Sequence, residues 1–206
     1  GKGGCDGYNK GWMLATERTQ TAIVGDARTG QIAGRAPPNE DPDVSRARRL
    51  DYCRSMSGGP SPAIAVVEDV DEPHCVSAWW GEVHTTVHKG LGMAGALTNG
   101  VMRDLGDMPA GFPVIAGSIG PSHAFVHVRN LGETVNIRGM QVAQGDLIHA
   151  DQHGGLVVPP EVIPTLKDAI QKLLDTENII LEPARQPDFD LDKLMDAWAA
   201  FENSRT

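Results

Sequence analysis

The unbroken apolar run Ala63-Ile64-Ala65-Val66-Val67 constrains this chain more than any other segment. A strand with one wet face alternates apolar and polar residues, whereas a strand without a polar face must be covered on both sides. The stretches Ala94 to Val101 and Pro113-Val114-Ile115-Ala116 have the same character, and Thr21 to Val24 and Cys75 to Trp80 read as further short strands. Two helices are expected among them. Val44 to Ser55 carries four arginines and few apolar residues, reads as an exposed helix, and is broken by Gly58-Gly59-Pro60. Glu82 to Gly90 follows Gly81, with acid in its first turn where the macrodipole favours it, and Gly90 and Gly92 supply its stop. From Phe125 to Val158 alternation with turns at Gly132, Gly139, Gly145 and Gly154-Gly155 predicts a series of short antiparallel strands. Pro160-Glu161 then opens an amphipathic helix with Val162, Ile163, Leu166, Ile170, Leu173 and Leu174 on one stripe, and Asp190 to Phe201 predicts a second. This order predicts a layered α/β fold with much antiparallel pairing. At 206 residues the chain suffices for one sizeable domain and is marginal for two.

The formal charge of −9 argues against a nucleic-acid partner, which needs a basic face, and leaves room for a small anion at a local basic spot. Cys5, Cys53 and Cys75 match no zinc or disulfide framework and read as reduced thiols, so a cytoplasmic location is expected. No apolar run approaches the roughly 20 residues needed to span a bilayer, and no membrane partner is expected. The chain opens on Gly1-Lys2-Gly3-Gly4 rather than Met, so the N-terminus is expected to be incomplete.

Two places point to chemistry. At Trp80-Gly81-Glu82-Val83-His84 a strand turns into a helix at a glycine, which lets a ligand approach the backbone, and the free amides of the first helical turn suit a carboxylate. Such corners are common and the signal alone is weak. Arg103-Asp104 follows an apolar strand. It reads either as an arginine fork for a keto acid beside a hard oxygen for Mg²⁺, or as an ion pair in a surface turn. Asp146 and Asp151 read as turn-fixing carboxylates. Three His-x-x-x-His pairs, His84/His88, His123/His127 and His149/His153, raise a zinc reading. Only the first is plausibly helical; on a strand at roughly 3.3 Å per residue the rings stand about 13 Å apart. Met93, Met102 and at least one of Trp79 and Trp80 are expected in the core, and Arg46, Arg48, Arg49 and Arg54 form a local basic patch that reads as a solvated helix face, with an anion site as the alternative.

Gly81-Glu82, twenty intervening residues, then Arg103-Asp104, together with Gly92, Gly95, Asn99-Gly100, Gly145 to Asp151 and Val157-Val158-Pro159, resembles the RraA-like family from about Ala63 to Glu177. That family holds 4-hydroxy-4-methyl-2-oxoglutarate aldolases that also decarboxylate oxaloacetate, and the regulator of ribonuclease activity A. The resemblance implies a single domain over residues 1–206, built as an α-β-β-α sandwich with a mixed central sheet (the swivelling β/β/α architecture), with C-terminal helices over about 160–203. It implies a lyase: a class II pyruvate aldolase and decarboxylase working through a metal-stabilised pyruvate enolate, with Mg²⁺ or Mn²⁺ as cofactor. It implies Asp104 as metal ligand, Arg103 on the keto oxygen and carboxylate, the amides of Glu82, Val83 and His84 around a carboxylate, and Gly81 as a further substrate-binding residue. Glu82 would position a water for proton transfer, and Glu177 would reach a neighbouring subunit's site in a homotrimer or homohexamer. A non-enzymatic regulator of ribonuclease activity is the alternative, and a related metal enzyme on another carboxylate is a third reading. His84 departs from the family's usual Leu, which bears on substrate shape.

Overall fold

A computed structural model describes residues 6–16 and 22–205; Cys5 and Thr21 lie outside them. The chain divides into two compact units, Gly1–Val158 and Pro159–Thr206.

The first unit runs β1 (Leu14–Ala15), β2 (Ile23–Ala33), α1 (Pro42–Ser57), β3 (Ala63–Asp69), β4 (Ala78–Trp80), α2 (Glu82–Gly90), β5 (Gly95–Thr98), β6 (Val101–Met102), β7 (Val114–Ala116), β8 (Ser118–Ile119), β9 (His127–Leu131), β10 (Val135–Ile137), β11 (Met140–Val142), β12 (Leu147–Asp151) and β13 (Gly154–Val158). The main sheet has the order β1-β7-β5-β3-β2-β12-β13, with β9 also paired to β2. Strands β2, β3, β5 and β7 are mutually parallel, and the outer pairings are antiparallel, so the sheet is mixed.

The apolar run in β3 is explained by two cores. Ala63, Ala65 and Val67 pack with Tyr52 and Met56 of α1 and with Trp79 and Trp80, while Ile64 and Val66 pack with Ile137, Met140 and Val142 of the β10–β11 hairpin. Successive side chains leave a strand on opposite faces, so a strand between two cores has no polar position. Met93 and Met102 are core residues, as expected, and both tryptophans are buried.

Strand β2 is longer than the short strand expected near Thr21 to Val24, and its polar residues are the reason it is hard to read. Arg28 in its middle is buried, but its Nε donates to the Gly58 carbonyl at 2.8 Å and an Nη to that of Pro60 at 3.0 Å. Helix α1 starts where Asp41 caps it, accepting from the Asp43 amide at 2.8 Å, and buries only Tyr52 and Met56.

The main sheet feeds a second one. After β3, β5 and β7 the chain continues into β4, β6 and β8, which form a parallel three-stranded sheet. The links Asn99-Gly100 and Gly117 touch: the amides of Gly117 and Ser118 both donate to the Gly100 carbonyl, at 3.0 and 3.1 Å. A Cβ on Gly117 would lie 2.0 Å from the Asn99 carbonyl oxygen, so only glycine fits there.

The second unit is a helical pair, α3 (Ile163–Ala184) after a 3₁₀ turn, Pro160–Val162, and α4 (Leu191–Ser204). Asp190 caps α4 by accepting from the Lys193 amide at 2.9 Å. Both expected helices are present. Among the described residues no helix is long and apolar enough to cross a membrane.

Candidate active site

Strands β4 and β6 run parallel with Trp80 opposite Met102, so their carboxyl ends lie side by side. Ligands of α/β proteins gather at such ends. The segments leaving the two strands are therefore brought together: Gly81 and α2 after β4, Arg103 and Asp104 after β6. The Arg103 amide donates to the Trp80 carbonyl at 2.8 Å and carries the pairing one residue past β6.

Gly81 caps α2 with no side chain to serve the orphan amides of the first turn. Asp104 does so from across the corner. Its Oδ2 accepts from the Glu82 amide at 3.3 Å, and its backbone takes the left-handed conformation, φ 57°, that Asp tolerates better than most residues. Space, not conformation, is what glycine provides at 81: a side chain there would push the Asp104 and Arg103 side chains aside. A Cβ there would lie 2.6 Å from Asp104 Oδ2 and 3.1 Å from Arg103 Cγ. Arg103 holds both oxygens of Asp104 through Nη1, each at 3.0 Å, and its Nε is buried without a partner among the described residues. The Glu82 side chain is exposed at the same helix start.

A cleft of about 420 Å³ opens on this corner. Gly81, Val83, His84 and Arg103 line it, together with Arg49 of α1 and His127 of β9. His84 lies over the Trp79 ring, centroids 3.9 Å apart at 30°. Burial, then electrostatic repulsion from His88 when it too is protonated and from Arg49 and Arg103, pushes its pKa down to about 4. At neutral pH it therefore offers a ligand hydrogen bonds without charge.

His88 is fully buried and occupied. Its Nδ1 donates to the His84 carbonyl at 2.5 Å, which leaves Nε2 to accept from the Tyr52 hydroxyl at 2.7 Å; Trp79 Nε1 in turn donates to that hydroxyl at 3.3 Å. Burial pushes the pKa of His88 down to about 4 and raises that of Tyr52, so both are neutral. The His84/His88 spacing thus serves a core network rather than zinc. Among the described residues no three His, Cys, Asp or Glu side chains are grouped so as to hold a metal. Asp146 and Asp151 fix turns, accepting from the amides of Ala143 and His153, both at 2.8 Å.

The structure brings Gly81, Glu82, Val83, His84, Arg103 and Asp104 to one corner. Glu177 belongs to the second unit, exposed on α3. Two cleft residues escape detection in the sequence. Arg49 reads as part of a solvated helix face and His127 as a strand residue; it is the packing of α1 and β9 beside β4 that brings both to the cleft, and no local spacing signals it.

This is an α/β domain whose cleft stands at the carboxyl ends of parallel strands. A family model described as RraA-like, Aldolase/RraA, matches residues 3–158, and the chain belongs to that family. The family takes in aldolases as well as RraA proteins of the ribonuclease-inhibitor kind. An uncharacterized protein of Methanocaldococcus jannaschii is 32% identical over 121 residues, 57% of this chain; the match also spans 57% of that relative, little more than half its length. Among solved structures, an uncharacterized protein from Pseudomonas syringae superposes with a TM-score of 0.68 at 21% identity, covering 94% of this chain and 82% of its own. Streptomyces coelicolor RraAS2, described as an unusual member of the RNase ES inhibitor RraA family, gives 0.65 at 21% identity, covering 84% and 82%. At such identity these structures speak for the fold alone.

Proposed function

We propose that this chain is a divalent-metal-dependent lyase, a class II pyruvate aldolase that cleaves 4-hydroxy-2-oxo acids of the 4-hydroxy-4-methyl-2-oxoglutarate type and decarboxylates oxaloacetate. One observation carries the reading. Gly81 and Arg103 line the cleft, and behind them the Asp104 carboxylate, bridged to Arg103, accepts from the Glu82 amide at the amino end of α2 at 3.3 Å.

The donor set fits Mg²⁺ or Mn²⁺. A carboxylate has about four lone-pair positions, and Asp104 keeps some free beside Arg103 and the Glu82 amide. Magnesium is commonly held by one or two carboxylates, with waters and substrate completing its shell. The absence of a three-ligand cluster among the described residues suits that hydrated mode rather than zinc. Asp104 would hold the cation, with Glu82 close by. When bound, it supplies Lewis-acid polarisation of the keto oxygen.

The chain's own residues do the rest. The Arg103 fork takes the keto oxygen and adjoining carboxylate, where negative charge grows as the C3–C4 bond breaks and its electron pair moves toward C2. The free amides of Val83 and His84 receive carboxylate oxygen at the positive end of α2. In aldol cleavage the 4-hydroxyl proton passes to a water positioned by Glu82, and the new carbonyl forms at C4. In decarboxylation CO₂ leaves and no such base is needed. The working form is a homotrimer or homohexamer in which Glu177 reaches a neighbouring copy's site.

The test is pyruvate release from oxaloacetate and from 4-hydroxy-4-methyl-2-oxoglutarate, with Mg²⁺ and with chelator. Release should need the metal. Arg103→Lys should lower both activities by about a hundred- to a thousandfold, the range for removing one preorganised charge-stabilising donor. Glu82→Ala should lower aldol cleavage by about a hundredfold or more, the range for general acid–base help, and spare decarboxylation. No metal-dependent pyruvate from either substrate would sink the lyase reading and favour the family's non-enzymatic regulator.

A further inference from the structure

Of the four α1 arginines, three are matched by acids. Arg46 pairs with Asp43 at 3.6 Å, Arg48 with Glu40 at 2.8 Å and Arg54 with Asp51 at 2.6 Å. Arg49 has no acidic partner among the described residues, and it is the one that lines the cleft. Glu40 is held by Arg48 and Ser45 and does not line it. Among the described residues the lining contains two arginines, three histidines and no carboxylate, within a protein of formal charge −9. With Arg103 already bridged to Asp104, the unmatched charge facing the cavity is that of Arg49.

A second observation points to a ligand at the same place. His127, only 8% exposed, donates from Nδ1 to the Phe125 carbonyl at 2.9 Å, while its Nε2 is buried without a partner. His127 is a lining residue of the cleft, and a buried polar atom left unsatisfied costs about 1–3 kcal/mol, so a ligand atom that reached Nε2 would remove that cost. The cavity of about 420 Å³ is of a size common for small-molecule sites.

We propose that Arg49 and His127 form a second carboxylate subsite, separate from the Arg103 corner, so that the cleft selects keto diacids over keto monoacids. One carboxylate and the keto group occupy the Arg103 corner. The distal carboxylate takes the Arg49 fork, with His127 Nε2 bonding to the same end of the ligand. This deepens the lyase reading and rests on it for the orientation of the keto end. Arg49 is exposed on α1, so replacing it leaves the core untouched.

The experiment is calorimetric binding of 2-oxoglutarate and of pyruvate to the full chain, with Mg²⁺ present, for the unaltered protein and for Arg49→Gln. Arg49→Gln should weaken 2-oxoglutarate by about tenfold or more, the scale of a lost charge-assisted hydrogen bond, and leave pyruvate within about twofold. Arg49→Lys, which keeps charge and loses the fork, should fall between. Equal weakening of both ligands, or of neither, overturns the proposal. Because binding is read without turnover, a protein that discriminates diacid from monoacid through Arg49 yet releases no pyruvate would refute the activity alone.

Discussion

At the scale of single residues, the histidines of α2 tie the site to pH. His84 and His88 are both pushed to about 4, chiefly by burial, whereas in an unfolded chain they titrate near 6.5. Above pH 6.5 they are neutral in both states and add no pH dependence. As pH falls from 6.5 to 4, the unfolded chain takes up to two protons that the folded chain refuses. The unfolded state then binds more protons, so stability falls with pH across that window. Glu40 and Asp151, both lowered, add loss at the acid end, while Asp69, raised by burial, works in the opposite sense. The expected result is a melting midpoint that drops on acidification from pH 6.5 to 4. In His84→Leu that slope should be shallower by about one proton's share. Melting curves in a pH series decide it: an unchanged slope in the variant would mean that His84 protonates equally in both states.

Among the elements, α1 and β2 depend on one buried guanidinium. Arg28 leaves β2 to bind the carbonyls of Gly58 and Pro60, the turn that ends α1, and a Cβ on Gly59 would fall 2.3 Å from its Nη2. Truncation strands both carbonyls, so Arg28→Ala should cost about 1.5–3 kcal/mol, the range for hydrogen bonds to a charged group. Urea denaturation measures it, and a loss under about 0.5 kcal/mol, the scale of an ordinary surface substitution, would show that water serves the turn instead. The same residue shows why sequence reads some elements and not others. Helix α2 is bounded at Glu82 and Gly90 as its glycines and first-turn acid imply, and β3 starts at Ala63 with its apolar run, because those signals are local, though β3 continues past Val67 to Asp69. Strand β2 carries Arg28, Thr29 and Gln31, whose partners at Pro60, Gln144 and Glu68 lie far along the chain, so no period betrays it. The candidate site divides in the same way. The Gly81 corner and Arg103-Asp104 are short motifs and can be read. Arg49 and His127 become cleft residues only once α1 and β9 pack near β4.

For the whole molecule, the proposed assembly makes its own demand. Helix α3 leaves Ile170, Leu173 and Leu174 at 48%, 56% and 49% exposure, an apolar row of the kind that suits packing against another copy. If Glu177 on that helix completes a neighbouring copy's site, each site in the assembly takes Asp104 from one chain and Glu177 from the next. Asp104→Asn and Glu177→Gln should each be nearly inactive alone. In a head-to-tail ring mixed from equal amounts of the two, a site regains both native groups when an Asp104-bearing chain stands before a Glu177-bearing one. That happens with probability one half times one half, so about a quarter of unaltered activity should return on mixing and subunit exchange. Light scattering on each variant confirms that the assembly persists. If activity stays at the level of the separate variants while the chains demonstrably exchange, Glu177 serves no neighbouring site, and the corner at Gly81 must work with groups from its own chain.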